Sequence, residues 1–143
     1  MKITEFEKKQ TEWHLPGYQF CGPGTRVYTR LLRGDQGINE LDKACRKHDI
    51  EYFKYAGDNK GLREADNKLR RAAKKIGGVC PFFVDKVFFF KNIGESLGLW
   101  TPAGFARGLG TGGLSEREQR QFGKKLYKKY IENKKDVDMT KYV

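Results

Sequence analysis

Two stretches of this chain repeat their apolar residues at intervals of three and four, the spacing that gathers them on one face of a helix. In the first, Leu41, Ala44, Cys45, His48 and Tyr52 share a face. Asn39 stands where an N-cap belongs, and Glu40 and Asp42 fall in the first turn, where carboxylates favour the helix dipole. Gly57-Asp58-Asn59 stops this helix after about Ala56. The second runs from about Lys60 to Ile76 and closes at Gly77-Gly78; its stripe is Leu62, Ala65, Leu69, Ala72, Ala73 and Ile76, with Asp66 set inside it. Arg63, Lys68, Arg70, Arg71, Lys74 and Lys75 cover the opposite face.

The remaining segments follow less regular rules. Residues 1–14 contain Ile3, Phe6 and Trp13 and are expected to form a short amphipathic helix. Leu15 to Thr25 holds two prolines and three glycines within Pro16–Gly24, which marks an irregular loop. Residues 26–38 are basic and contain Gly34 and Gly37, which predicts an exposed connector. Pro81 to Phe90 holds five of the ten phenylalanines, with Pro81 suited to a first helical position and the helix continuing to about Leu97. This segment reads either as a third core helix covering the first two or as a membrane-surface helix. Residues 98–114 form a glycine-rich linker. Ser115-Glu116-Arg117-Glu118 resembles a capping box opening a polar, basic helix to about Asn133, after which the chain frays. The expected division is therefore an N-terminal segment (1–14), a domain of mainly α class (15–97), a linker (98–114) and a basic C-terminal helix and tail (115–143).

Charge and composition narrow the setting. The net charge is +11 over 143 residues, which calls for an anionic partner: nucleic acid, an acidic protein or an anionic membrane. Met1 to Glu7 has no apolar core of a signal peptide, and no run approaches the ~18 apolar residues that cross a bilayer. Three cysteines, Cys21, Cys45 and Cys80, include no C-x-x-C pair, which argues against a zinc site and leaves one disulfide plus a thiol, or three thiols.

The candidate chemistry begins with a histidine in an apolar stripe, because a buried polar group without a partner is costly. Helices joined by a short turn lie antiparallel, and His48 and Asp66 are each nine residues from Gly57, so the two meet at similar height. A carboxylate on one imidazole nitrogen fixes the tautomer and leaves the other nitrogen as a base. The same pair serves equally as a structural buttress between helices. Gly22-Pro23-Gly24 either makes a plain tight turn or bends the chain so that successive backbone groups point at one spot.

Taken together, Leu15-Pro16-Gly17-Tyr18…Gly22-Pro23-Gly24, the helix pattern Asn39…Asp42…Arg46…His48-Asp49…Tyr52 and the later Ala65-Asp66 resemble secreted-type phospholipases A2. They are most similar to the phospholipase domain in the minor capsid protein of parvoviruses. The resemblance spans Leu15 to about Ala73. It implies calcium held by the carbonyls of Phe20, Gly22 and Gly24 and by the Asp49 carboxylate, since calcium takes oxygen ligands. It further implies His48 as general base toward water attacking an sn-2 ester, Asp66 orienting His48, Tyr52 bonded to Asp66, and the Gly22 N–H at the oxyanion. Cys21 and Cys45 match one bridge of the secreted enzymes, which leaves Cys80 free. Thr25 departs from the Asn of viral loops and the Gly of secreted ones. On this resemblance the basic surface meets anionic phospholipid membranes, Trp13, Leu15, Phe20 and part of Phe82–Phe90 form the acyl-chain entrance, and the activity breaches an endosomal membrane from a virion. A route out of the cell without a leader, or an intracellular or mobile-element protein, are the other settings it allows.

Two further readings compete. One is a catalytically silent module that binds lipid or an anionic partner. The other is a nucleic-acid binder, suggested by the charge and the Ser115–Asn133 helix but accompanied by no recognised reader motif.

Overall fold

A computed structural model describes residues 14–22, 25–99 and 115–132. The expectations for residues 1–13, for most of the glycine-rich linker and for the end of the chain lie outside these residues. The chain is mainly α, with helices α1 (Val27–Arg33), α2 (Glu40–Lys54), α3 (Asn59–Ile76), α4 (Val79–Ser96) and α5 (Glu116–Tyr127), the last running into a π-helical turn at Lys128–Glu132.

The central helix is α2. The Asn39 side chain accepts the Asp42 N–H and caps it, and the Asp58 side chain accepts the Gly61 N–H at the start of α3. The α2–α3 pair is antiparallel: His48 meets Asp66, and at the turn a Cβ on Gly61 would sit only 2.5 Å from the Tyr55 ring. Helix α4 returns antiparallel along α3, with Arg63 reaching Glu95, Asn92 reaching Asn67, and Arg70 reaching Asp85. The basic face of α3 is thus only partly a solvated one. Arg63, Lys68 and Arg70 each bond a buried carboxylate: Glu95, Glu51 and Asp85.

Three expectations need correction. Residues 26–38 are not simply an exposed connector: Val27 and Leu31, four apart, bury one side of α1 in the core, and Gly34 closes the helix in the left-handed region at φ 88°. Pro81 is the third residue of α4, not the first, a position still inside the first turn where a missing N–H breaks no helical bond. The C-terminal helix is basic outside but not polar throughout. Phe122, Leu126 and Tyr130 recur every four residues and join the core.

This last helix lies directly on α2. The Phe122 ring meets Phe53 and Tyr28 edge-on, each with centroids 5.3 Å apart, and Arg120 Nε donates to the Ala56 carbonyl at 2.5 Å. At Gly123 a Cβ would fall 2.0 Å from the Lys54 nitrogen, so only glycine lets the two backbones approach this closely. Helix α2 is therefore buried on two sides, which is why Ile50 and Phe53 are buried as well as Leu41 and Cys45.

Candidate active site

The site sits on the α3-facing side of α2. His48 Nε2 lies 2.7 Å from Asp66 Oδ1, and the Tyr52 hydroxyl donates to the same oxygen at 2.5 Å. Asp66 Oδ2 accepts from Lys91 Nζ of α4. A carboxylate oxygen accepts and does not donate, so Nε2 carries the proton and Nδ1 is the nitrogen left to act as a base. Nδ1 lies 3.5 Å from Asp49 Oδ1. The Phe88 ring closes the far side of the imidazole edge-on, with centroids 5.0 Å apart.

Burial alone would lower the pKa of His48, but the two carboxylates, Asp49 and Asp66, outweigh it and push it up to about 9. Burial would raise Asp66, yet its bonds to His48 and Lys91 hold it below the usual carboxylate range. Tyr52 is raised, first by burial and then by the Asp66 charge, and so stays a phenol that donates. For Asp49 burial wins and its pKa rises, against the downward pull of His48 and Thr25. A folded-state value above the unfolded 6.5 means that imidazolium stabilises the fold fully below about pH 6.5 and that this stability is lost as pH rises through about 9. The thermal midpoint in calcium-free buffer should therefore fall between neutral and alkaline pH. The decline should shrink in Asp66→Asn, which removes one of the two carboxylates; an equal decline in that variant would contradict this account.

The glycine loop reaches the same place from the other side. Its backbone is fixed by Asp42, whose Oδ1 accepts the N–H groups of Phe20 (2.8 Å) and Cys21 (3.1 Å) and whose Oδ2 accepts those of Gln19 (2.9 Å) and Ile38 (3.0 Å). Cys21 and Cys45 form a disulfide that ties the loop to α2, and Cys80 is free. The Phe20 side chain is buried in the core at 1% exposure, so it does not stand at an acyl-chain entrance; Leu15 is partly buried and Trp13 lies outside the described residues.

The carbonyls of Phe20 and Gly22 converge on the Thr25 hydroxyl, at 3.1 and 3.3 Å, and the His14 ring meets the same oxygen at 3.0 Å. A hydroxyl has one proton and can serve one of these acceptors at a time. The Asp49 Oδ2 atom is buried with no hydrogen-bond partner. Oxygens thus outnumber donors here, an arrangement that suits a hard cation. No group of three or more His, Cys, Asp or Glu side chains suited to a metal occurs among the described residues, so such a cation would rely on carbonyls together with Asp49. Gly24, the remaining ligand implied by resemblance, lies outside the described residues, while the Gly22 backbone is exposed on the loop.

His48, Asp49, Tyr52 and Asp66 are therefore brought together, with Phe20 and Gly22 on the adjoining loop. The sequence reading missed Asp42 as the loop's anchor, Thr25 as the point of convergence, and Phe88, Lys91 and Glu95 behind the histidine. A signal existed for the last group, because Val84, Phe88, Lys91 and Glu95 follow one helical face.

A family model described as phospholipase A2-like domain matches residues 11–91. No curated protein and no solved structure matches the chain.

Proposed function

The chain belongs to the phospholipase A2-like domain family, and from that premise we propose that it hydrolyses the sn-2 ester of membrane phospholipids in a calcium-dependent reaction. The observation that carries the reading is the imidazole held through Nε2 by Asp66 at 2.7 Å, with Nδ1 turned toward the oxygen-rich loop. His48 Nδ1 takes a proton from a water molecule whose oxygen attacks the ester carbonyl. Asp66 holds the tautomer and balances the imidazolium, and Tyr52 keeps Asp66 in place. The Gly22 N–H donates to the developing oxyanion. When the tetrahedral intermediate collapses, His48 returns the proton to the departing glyceryl oxygen, giving a fatty acid and a lysophospholipid. Phe20, Gly22, Gly24 and Asp49 would hold the calcium, which supplies positive charge to the carbonyl oxygen under attack. With a cation on Asp49, that carboxylate's share in stabilising imidazolium would fall, which would favour the neutral ring with Nδ1 as the base.

The surface supports a membrane as the substrate phase. Helix α4 exposes Phe82, Phe83 and Phe90, with Leu97 exposed just past its end, Lys86 stands beside Phe82, and Lys74 and Lys75 are exposed at the end of α3. Aromatic and basic groups together favour an anionic bilayer interface. No helix among the described residues is long and apolar enough to cross a membrane. The finer assignment we propose is the viral minor-capsid type, virion-borne and breaching an endosomal membrane during entry; it rests on the loop and helix motifs. Contact with nucleic acid would be confined to the basic side of α5.

Vesicles of mixed zwitterionic and anionic phospholipid, labelled at the sn-2 chain, test the reading. Fatty acid should be released with millimolar calcium and fall to background on chelation. Release from the sn-1 chain, or turnover indifferent to chelation, would overturn it. Vesicle binding with no turnover would favour the silent binding module, for which the exposed α4 face would suffice.

A further inference from the structure

Behind His48 runs a chain of alternating charges that the mechanism above uses only as far as Asp66. Lys91 is 3% exposed, and its ammonium bonds both Asp66 Oδ2 and, at 2.5 Å, Glu95 Oε1. Glu95 Oε2 in turn accepts from Arg63 at 3.4 Å, and the Arg63 side chain is half in solvent. A lysine almost never goes this deep without a paired role, because its desolvation is expensive. A core that needed only packing would have an aliphatic residue here, since Lys91 lies on the same face of α4 as Val84 and Phe88. The cost is matched by geometry at the carboxylate. Asp66 Oδ1 receives His48 and Tyr52 while Oδ2 receives Lys91, so the plane of the carboxylate is held from both ends. The Phe88 ring, one turn earlier on α4, packs against the imidazole itself.

We propose that Lys91 is a positioning residue for ester hydrolysis: it clamps Asp66 Oδ2 so that Oδ1 stays aimed at His48 Nε2 and the Tyr52 hydroxyl. Glu95 and Arg63 hold Lys91 to that task. The inference rests on the phospholipase reading above and deepens the role of the same site. A carboxylate freed at Oδ2 can turn about its Cβ–Cγ bond, and a displacement of about 1 Å at a catalytic group costs on the order of 10²-fold in rate.

The obvious rival is that Lys91 merely neutralises Glu95 for the sake of folding. Lys91→Met alone would leave two buried carboxylates without their shared cation and could unfold the chain. The deciding variant is therefore Lys91→Met combined with Glu95→Gln, which removes both charges at nearly constant volume. On the labelled vesicles, with calcium, kcat of this double variant should fall about 10²-fold with KM little changed. Its thermal midpoint and its terbium affinity at the loop should stay near those of the parent chain. Wild-type kcat in the folded double variant overturns the proposal. A second readout is independent of turnover: the downfield proton resonance of His48 Nε2–H bonded to Asp66 should shift or broaden in the double variant, and an unchanged resonance also overturns it. If the parent chain itself releases no fatty acid, the phospholipase reading fails, and the resonance alone then decides whether Lys91 orients Asp66.

Discussion

His48→Gln should lower sn-2 ester cleavage by about 10²–10⁴-fold, the usual contribution of a positioned general base, while leaving the fold and the cation site standing. Glutamine can still donate an amide N–H toward Asp66 Oδ1, so the Tyr52–Asp66–Lys91 network keeps its bonds. What it lacks is a second nitrogen able to take a proton from water. Initial-rate assays on calcium-loaded vesicles measure the loss, and terbium binding checks that Asp49 and the loop remain competent. A variant that keeps a tenth or more of the parent rate would remove His48 from the role of base. Buried at 8% exposure between Tyr52 and Phe88, the imidazole also contributes packing. Glutamine, of similar length, limits that loss.

The second large effect should come from Asp42→Ala, at a residue that touches no reacting atom. The Asp42 carboxylate, fully buried, accepts four backbone N–H groups from two separate segments, Gln19 to Cys21 and Ile38. Hydrogen bonds to a charged acceptor contribute about 1.5–3 kcal/mol each, and donors left unsatisfied in a core add to the loss. Water reaching the partly exposed Gln19 and Ile38 donors would offset some of it, which leaves a destabilisation of about 3–5 kcal/mol. Asp42→Asn keeps the shape and one acceptor oxygen, so it should lie between the two. Urea unfolding measures both, and terbium affinity should fall in the same order, because the carbonyls of Phe20 and Gly22 are aimed by that backbone. A stable Asp42→Ala chain with intact metal affinity would mean that the disulfide alone seats the loop.

The parts of this fold that were legible in the sequence are those where local chemistry and tertiary packing agree. Asn39 and Asp58 mark helix starts with side chains that bond the first free N–H groups, and Gly57 marks a stop. The meeting of His48 and Asp66 follows from two amphipathic helices and a short turn. The misses share another cause, in that a charged residue can belong to the interior when it has a partner from elsewhere in the chain. Three arginines, Arg26, Arg30 and Arg33, hid the Val27/Leu31 stripe of α1, and lysines hid the Phe122/Leu126/Tyr130 stripe of α5. Asp42 looked like an ordinary first-turn carboxylate, because the four N–H groups it gathers are distant in sequence or belong to a loop with no periodic signal. Lys91 follows a run of phenylalanines that carries no polar signal of its own, and only its register with Glu95 marks it.

Helix α4 sets two neighbours in contrasting environments: Phe90 is 66% exposed and Lys91 is 3% exposed. Between them there is no hinge, loop or domain boundary, only one peptide bond in a helix whose backbone is stiff on the scale of a turn. The outward-facing aromatic and the strut that braces Asp66 are thus carried by one turn of one helix. A substitution that disturbs this turn of the helix therefore reaches the exposed aromatic face and the brace on Asp66 together.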